Sequence, residues 1–288
     1  MLKQLACYTC VFVCTIGNTP CSGDSLAGPS DAQPVTTAAP DPNSGRESMP
    51  VLGSAEMIQR SSKILGMARE TNEDVYNSLL SFVCSEQIER FKGPLSTETA
   101  KQIDSVTATV SFENGTEHYS DIRQNTKARP SMASLSGAWS EGEFGTLLRQ
   151  TQLLLSTQMP SFDTFATLDG APAAIYQMDV SEDESPWDLE VRNQHYRLPF
   201  RTKIWVSEAS GEILKIERIS THIPFRVGIS EIRWNVVLKD VDLNGKTWLL
   251  PSIGEYAVLY QESSHREWNV MHFSDYHRYG SEVAIKFQ

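Results

Sequence analysis

Six histidines, His118, His195, His222, His265, His272 and His277, are the side chains best able to hold a metal or move a proton near neutral pH. The closest pair is His272 and His277. On one unbroken strand, residues five apart point to opposite faces, so these two would not share a metal. Only if a bulge re-aimed one side chain would His272, Asp275 and His277 come together. Surface or hydrogen-bonded histidines are therefore expected. The run Asp240-Val241-Asp242-Leu243-Asn244-Gly245 matches the first half of a calcium loop, but Pro251 stands where the bidentate acid is due. Strand-like runs flank it, so a hairpin turn is expected instead. Glu182-Asp183-Glu184, with Asp188 and Glu190, reads as a solvated acidic loop; a weak cation site or docking patch is the alternative.

Nucleophilic and phosphate chemistry leaves no mark. There is no Gly-x-Ser-x-Gly, Ser-x-x-Lys, Gly-x-Gly-x-x-Gly, phosphate-binding loop or His-Glu-x-x-His. A carboxylate pair can be drawn from distant positions, but nothing picks two of the 36 acids. No catalytic residue, metal or cofactor is assigned, and an enzyme is not expected; a hydrolase of unrecognised type is the third reading. Cys84 lies in the apolar run Leu79-Leu80-Ser81-Phe82-Val83-Cys84 and reads as a small buried hydrophobe, because no adjacent base would activate it.

The elements that would position any site begin after residue 50. Residues 1–27 read as a secretory signal. Lys3 precedes an apolar run from Leu5 to Ile16, too short to span a bilayer, and Ser25-Leu26-Ala27 suits cleavage, with Thr15-Ile16-Gly17 as a second candidate. A buried strand or helix of the fold is the other reading of this run. Cys7, Cys10, Cys14 and Cys21 fall in or just after it, and neither Cys14 nor Cys21 follows a convincing lipid-attachment box. Residues 28–50, rich in Pro, Ala and Ser, form an unfolded linker. Residues 51–288 form one domain without internal repeats. The 288-residue chain is 40% hydrophobic, enough for a sizeable core, and its six Trp, eleven Phe and nine Tyr exclude disorder throughout. A net charge of -11 argues against nucleic acid as a partner.

Helical spacing of Met57, Ile58, Leu65, Ala68, Val75, Leu79 and Leu80 predicts a helical segment over 54–82, and Thr71 with Asp74 fits a capping box that would divide it in two. Strands follow over 82–90 and 106–112, with a turn at Asn114-Gly115 and a return over 117–123. Ser140 and Glu143 fit another capping box ahead of a helix whose stripe is Phe144, Leu147, Leu148, Leu154 and Leu155, ended by Met159-Pro160. Strands are then predicted over 163–168, 173–180, 189–193, 201–206, 213–221, 229–241, 246–260, 270–279 and 282–287. Short connections make neighbours antiparallel. The fold class is α+β, a large curved antiparallel sheet wrapped around two or three helices.

The order of these segments carries a resemblance. A helix leads into Phe82-Val83-Cys84-Ser85-Glu86, then come an Asn-Gly hairpin and Ser140-Glu141-Gly142-Glu143-Phe144-Gly145. The strand pair 203–206 and 213–217, then Leu249-Leu250-Pro251 and the run from Asn269 to Tyr279, complete it. The chain resembles secreted bacterial envelope proteins of the half-barrel superfamily that includes the periplasmic outer-membrane lipoprotein carrier (LolA-like). Over residues 55–288 the resemblance implies an incomplete barrel around helices, with an apolar cavity, and transfers no site residue. If the cavity exists, Phe144, Leu147 and Leu148 would line one wall and Trp205, Trp234 and Trp248 the other. The first reading is a non-catalytic periplasmic or outer-membrane-associated protein that binds a lipid or acyl chain there. The second is an envelope interaction or stress-sensor domain that binds another protein. Either would be held near a membrane through its N-terminus, and neither fixes an oligomeric state.

Overall fold

The computed structural model describes residues 10–15, 53–79, 82–94, 100–113, 116–261 and 265–278. The first helix, α1 (Ser54–Leu79), runs unbroken for 26 residues. Its buried positions, Ser61, Ile64, Leu65, Ala68, Asn72 and Tyr76, recur every three or four residues and form one stripe. The break expected at 71–74 does not occur. Asn72 spends its side chain on other partners, donating to Ala68 O (2.6 Å) and Gly211 O (2.9 Å) and accepting from Ile213 N (2.8 Å). Thr71 donates to Ser210 O (3.1 Å) instead of capping a second helix. Both residues thus tie α1 to one turn of the sheet.

That sheet has eleven antiparallel strands. In chain order they are β2 (Phe82–Pro94), β3 (Lys101–Glu113), β4 (Thr116–Gln124), β5 (Lys127–Ala128), β7 (Ser161–Leu168), β8 (Ala171–Val180), β11 (Phe200–Ser207), β12 (Ile213–Ser220), β13 (Ile229–Leu243), β14 (Lys246–Tyr260) and β15 (His265–Arg278). In space the order is β5-β4-β3-β2-β15-β14-β13-β12-β11-β8-β7. The sheet is curved and open, with both helices on one face, as the sequence predicts. Alternation decides the faces: Trp234, Val236 and Leu238 are buried on the inner face, while Arg233 and Lys239 are exposed. The last described strand sits in the middle, β15 pairing with β2 from His265↔Pro94 to Arg278↔Phe82. Among the described residues, no other strand joins the sheet's first four strands in sequence to the remaining six.

A second, four-stranded sheet has the order β10-β9-β1-β6, formed by β1 (Cys10–Thr15), β6 (Gly137–Ala138), β9 (Trp187–Val191) and β10 (Gln194–Arg197). β1 runs parallel to β9 from Cys10↔Trp187 to Cys14↔Val191, and antiparallel to β6 at Cys14↔Ala138 and Thr15↔Gly137. Residues 10–15 of the apolar run expected to serve as an export signal thus form a strand, and the rest of that run lies outside the described residues. The strand expected over 189–193 is shorter. Arg192 and Asn193 take left-handed φ values of 52° and 61° and turn the chain into β10. Asn244 and Gly245, at φ 54° and 78°, likewise turn β13 into β14, so the calcium-like run is a hairpin. The Asn114-Gly115 turn and the 282–287 strand lie outside the described residues. Among those described, no helix is long and apolar enough to cross a membrane.

The turn that Asn72 holds needs a glycine. Gly211 has φ +77°, and a Cβ there would lie 2.7 Å from Met67 Cβ and 2.8 Å from the Met67 carbonyl carbon. Gly211→Ala is expected to cost roughly 1–2 kcal/mol for the left-handed backbone and about 1–3 kcal/mol more for the overlap. Gly245→Ala, with a similar φ but open space, should lose only the first part. Urea unfolding of both variants checks the difference.

Candidate functional site

The candidate site is the inner face of the large sheet and the elements covering it. The covering helix α2 (Thr146–Thr157) begins three residues after Glu143, with Gly145 as its N-cap residue. The expected capping box does not form. Ser140 Oγ instead donates to Glu143 Oε1, with both residues buried. The free amides at the helix start are taken by Glu117, on β4. Its Oε1 accepts from Gly145 N (2.7 Å) and Thr146 N (2.8 Å), and its Oε2 from Gly142 N (3.1 Å) and Tyr119 OH (2.6 Å). A carboxylate there satisfies donors that the helix cannot and meets the positive end of its dipole. Gly145 allows the approach, since a Cβ would lie 2.9 Å from the Phe112 ring.

More carboxyls crowd this helix start. Glu86, from β2, and Glu143 are each 2% exposed. Glu86 Oε2 and Glu143 Oε2 have no hydrogen-bond partner among the described residues. Burial, then the neighbouring negative charges, raise Glu86 well above the usual carboxylate range. Burial pushes Glu143 up to about 8 and Glu141 up to about 7, with Glu117 adding to both. Both shifts favour the protonated form of Glu86 and Glu143 over the charged one. A buried carboxylic acid needs less desolvation than a carboxylate.

A second polar layer lies under the middle of α2. Arg218, fully buried on β12, donates from Nη1 to Gln150 Oε1 (2.5 Å) and from Nη2 to Thr151 Oγ1 (3.3 Å), both on α2. Its guanidinium carbon lies 4.6 Å from the Phe200 ring centroid and 5.7 Å from that of Trp234. A third polar group fixes the strap that leads into α2. Arg90 pairs with Asp104 (3.2 Å) and donates to Ser136 O. Ala138 N donates to Glu267 (2.7 Å), and Asn269 donates to Ala138 O (3.0 Å).

The six expected ligand contacts divide into three places. Phe144, Leu147, Leu148 and Trp234 belong to one buried cluster. Phe144 stacks on Tyr276 (6.2 Å), and Trp234 packs on Trp187 (5.9 Å), which meets Phe200 edge-on (5.7 Å). Phe144, Leu147 and Trp234 are 0% exposed and Leu148 is 2%. A side chain bordering a void as large as a water molecule would keep accessible surface, so this part of the interior is filled. Trp205 is on the other face, opposite in parity to buried Ile204 and Val206, with Lys215 Nζ 4.6 Å from its ring. Trp248 sits near the start of β14, partly exposed, edge-on to Phe82 (5.2 Å). The structure thus brings Phe144, Leu147, Leu148 and Trp234 together and leaves Trp205 and Trp248 outside that buried cluster.

Histidine geometry also departs from expectation. A register shift between Ser274 and His277, with Asp275 at φ 51°, puts His272 and His277 both on exposed positions. They remain about 13 Å apart along the strand. No group of three metal-binding side chains is found among the described residues. In the acidic stretch Glu182, Asp183 and Glu184 are exposed and Asp188 and Glu190 half-buried, with Asp188 paired to His195 (2.7 Å) and Glu184 accepting from Ser181 (3.1 Å). Cys84 is buried, and burial raises its thiol far above the usual range, as a structural cysteine requires. Glu86, Arg90, Asp104, Glu117 and Arg218 were not singled out by sequence. A signal existed for four of them: Glu86 and Arg90 share inward parity with Cys84 and Ile88, Asp104 with Val106 and Ala108, and Arg218 with Ile216 and Ser220.

The raised carboxyls make stability depend on pH. Glu141 and Glu143 hold protons in the folded chain up to about 7 and about 8, against an ordinary value of 4.5. Their contribution is complete below 4.5 and is lost as pH rises toward 8. The melting temperature is expected to fall across that window. Glu143→Gln should flatten the fall and melt higher than the parent at pH 8; an unchanged slope would place the titration elsewhere.

No protein-family model matches the chain, and no curated protein matches it. Three solved structures are similar in outline. A DUF1329 family protein from Desulfovibrio piger is 9% identical over 78% of this chain and 94% of its own, with a TM-score of 0.38. The Mycobacterium tuberculosis lipoprotein LppX is 9% identical over 75% and 96%, at 0.26. A chain of the Pseudomonas aeruginosa MucA/MucB complex is 8% identical over 71% and 92%, at 0.20.

Proposed function

We propose that this chain is a secreted, non-catalytic interaction domain of the bacterial envelope. In this reading residues 1–27 direct export, residues 28–50 are a tether, and the half-barrel binds another protein. The observation that carries it is the filled inner face: Phe144, Leu147 and Trp234 have no accessible surface. An acyl chain would first have to displace α2 or the strap. The buried carboxyls do not argue for a hydrolase, because Glu86 and Glu143 are too deeply enclosed to meet a substrate.

The smaller sheet suggests how a partner is held. Cleavage after residue 27 would remove β1 and free the edges of β9 and β6, which it pairs on both sides. An extended partner segment would restore those ladder bonds, a common mode of peptide recognition. The acyl-binding reading keeps one supporting observation. α2 rests partly on Arg218, Gln150 and Thr151, polar groups that water can solvate if the helix lifts.

Native mass spectrometry of the protein exported to a bacterial periplasm separates the two. A mass equal to the cleaved polypeptide, with no uptake of a fluorescent fatty acid, is the expected result. Near-stoichiometric lipid that is lost in Leu148→Glu would overturn the proposal in favour of a carrier.

A further inference from the structure

The ladder between β14 and β15 stops at Ile253↔His272. Beyond that pair, β14 follows β13 down to Lys246↔Leu243, while β15 passes its bulge and rejoins β2 at His277↔Val83. The strands part, and a pocket of about 340 Å3 opens where they do. The Tyr276 hydroxyl bridges the parted strands by donating to Pro251 O.

The pocket has an aromatic floor and a basic rim. Trp248 and Tyr276 line it, and both pack against Phe82. Lys246 Nζ lies 3.9 Å from the Trp248 ring centroid, and Arg278 Cζ lies 4.9 Å from the same ring. His277 completes the rim, and among the described residues no Asp or Glu lines the pocket. Asp242, on the adjoining hairpin, is engaged by Thr247. None of the three basic side chains forms an ion pair among the described residues. Contact with an indole face orients a cation without neutralising it. On a chain of net charge -11, such a rim is a local reversal of sign.

The geometry points to an anion-binding pocket for a phosphate group carried on an apolar or aromatic body. The phosphate lies between Lys246 and Arg278, where the guanidinium can donate two parallel hydrogen bonds. The body rests on Trp248 and Tyr276. The volume is at the lower end of the range of about 300–1,000 Å3 typical of small-molecule sites. A soluble phosphate ester and a phospholipid headgroup present the same chemistry. The inference is independent of the proposed interaction role, since it uses neither the filled inner face nor the β9–β6 edges.

Calorimetric titration of the full-length chain with phenyl phosphate, and co-sedimentation with phosphatidylglycerol or phosphatidylcholine vesicles, test it. Saturable binding of phenyl phosphate identifies a soluble ligand class. Binding to phosphatidylglycerol vesicles alone identifies a headgroup. In either case Lys246→Gln with Arg278→Gln is expected to weaken binding at least tenfold, and Lys246→Gln alone to weaken it less. Arg233→Gln with Lys239→Gln, away from the pocket, should leave binding unchanged. Lys246 and Arg278 are exposed, so the fold should survive, and matching melting curves verify it. No binding to any probe at millimolar concentration, or equal binding by parent and double variant, overturns the inference.

Discussion

A single carboxylate, that of Glu117, terminates the backbone of a helix that begins 29 residues later. The arrangement of the inner face depends on this bond. α2 could slide or rotate on an apolar seam at little cost, because hydrophobic contact has no direction. Amides that need an acceptor do have direction. By collecting three of them, Glu117 sets where α2 starts and which side of it meets the sheet. It also bears on the neighbouring chemistry. Burial is the main reason that Glu141 and Glu143 favour their neutral forms, and the neighbouring Glu117 adds to it.

The same logic recurs along the inner face. Arg90 with Asp104 holds the strap, Arg218 holds the middle of α2, and Asn72 holds α1 to a turn. Buried groups of this kind are weak evidence for stability, since desolvation offsets most of the attraction. Their effect is to exclude other registries. Each needs a partner at one place, and a shifted helix would leave several buried polar atoms without one.

Much of this architecture was legible in the sequence. Period-two alternation gave the strands and their faces, as in Trp234, Val236 and Leu238 against Arg233 and Lys239. Helical periodicity gave both helices. What was missed followed from contacts between distant residues. Ser140 and Glu143 look like a local cap because the motif is local, yet the acceptor comes from another strand. Thr71 and Asn72 look like a break for the same reason. Trp205 was placed on the cavity wall by residue type, although its alternation with Ile204 and Val206 already put it outside. The 10–15 run suits both an export signal and a strand, because each needs a short apolar segment.

The position of β15 governs how the chain can come together in time. Residues near 90 and near 269 face each other across the centre of the sheet, and everything between them must be made first. As a nascent chain grows, the early hairpins and the later meander can each form from neighbours. They stay two unfastened pieces until β15 is released. Such a late, long-range closure carries a large loop entropy and slows folding. It also leaves both halves of the sheet with an unpaired edge until β15 arrives to cover them.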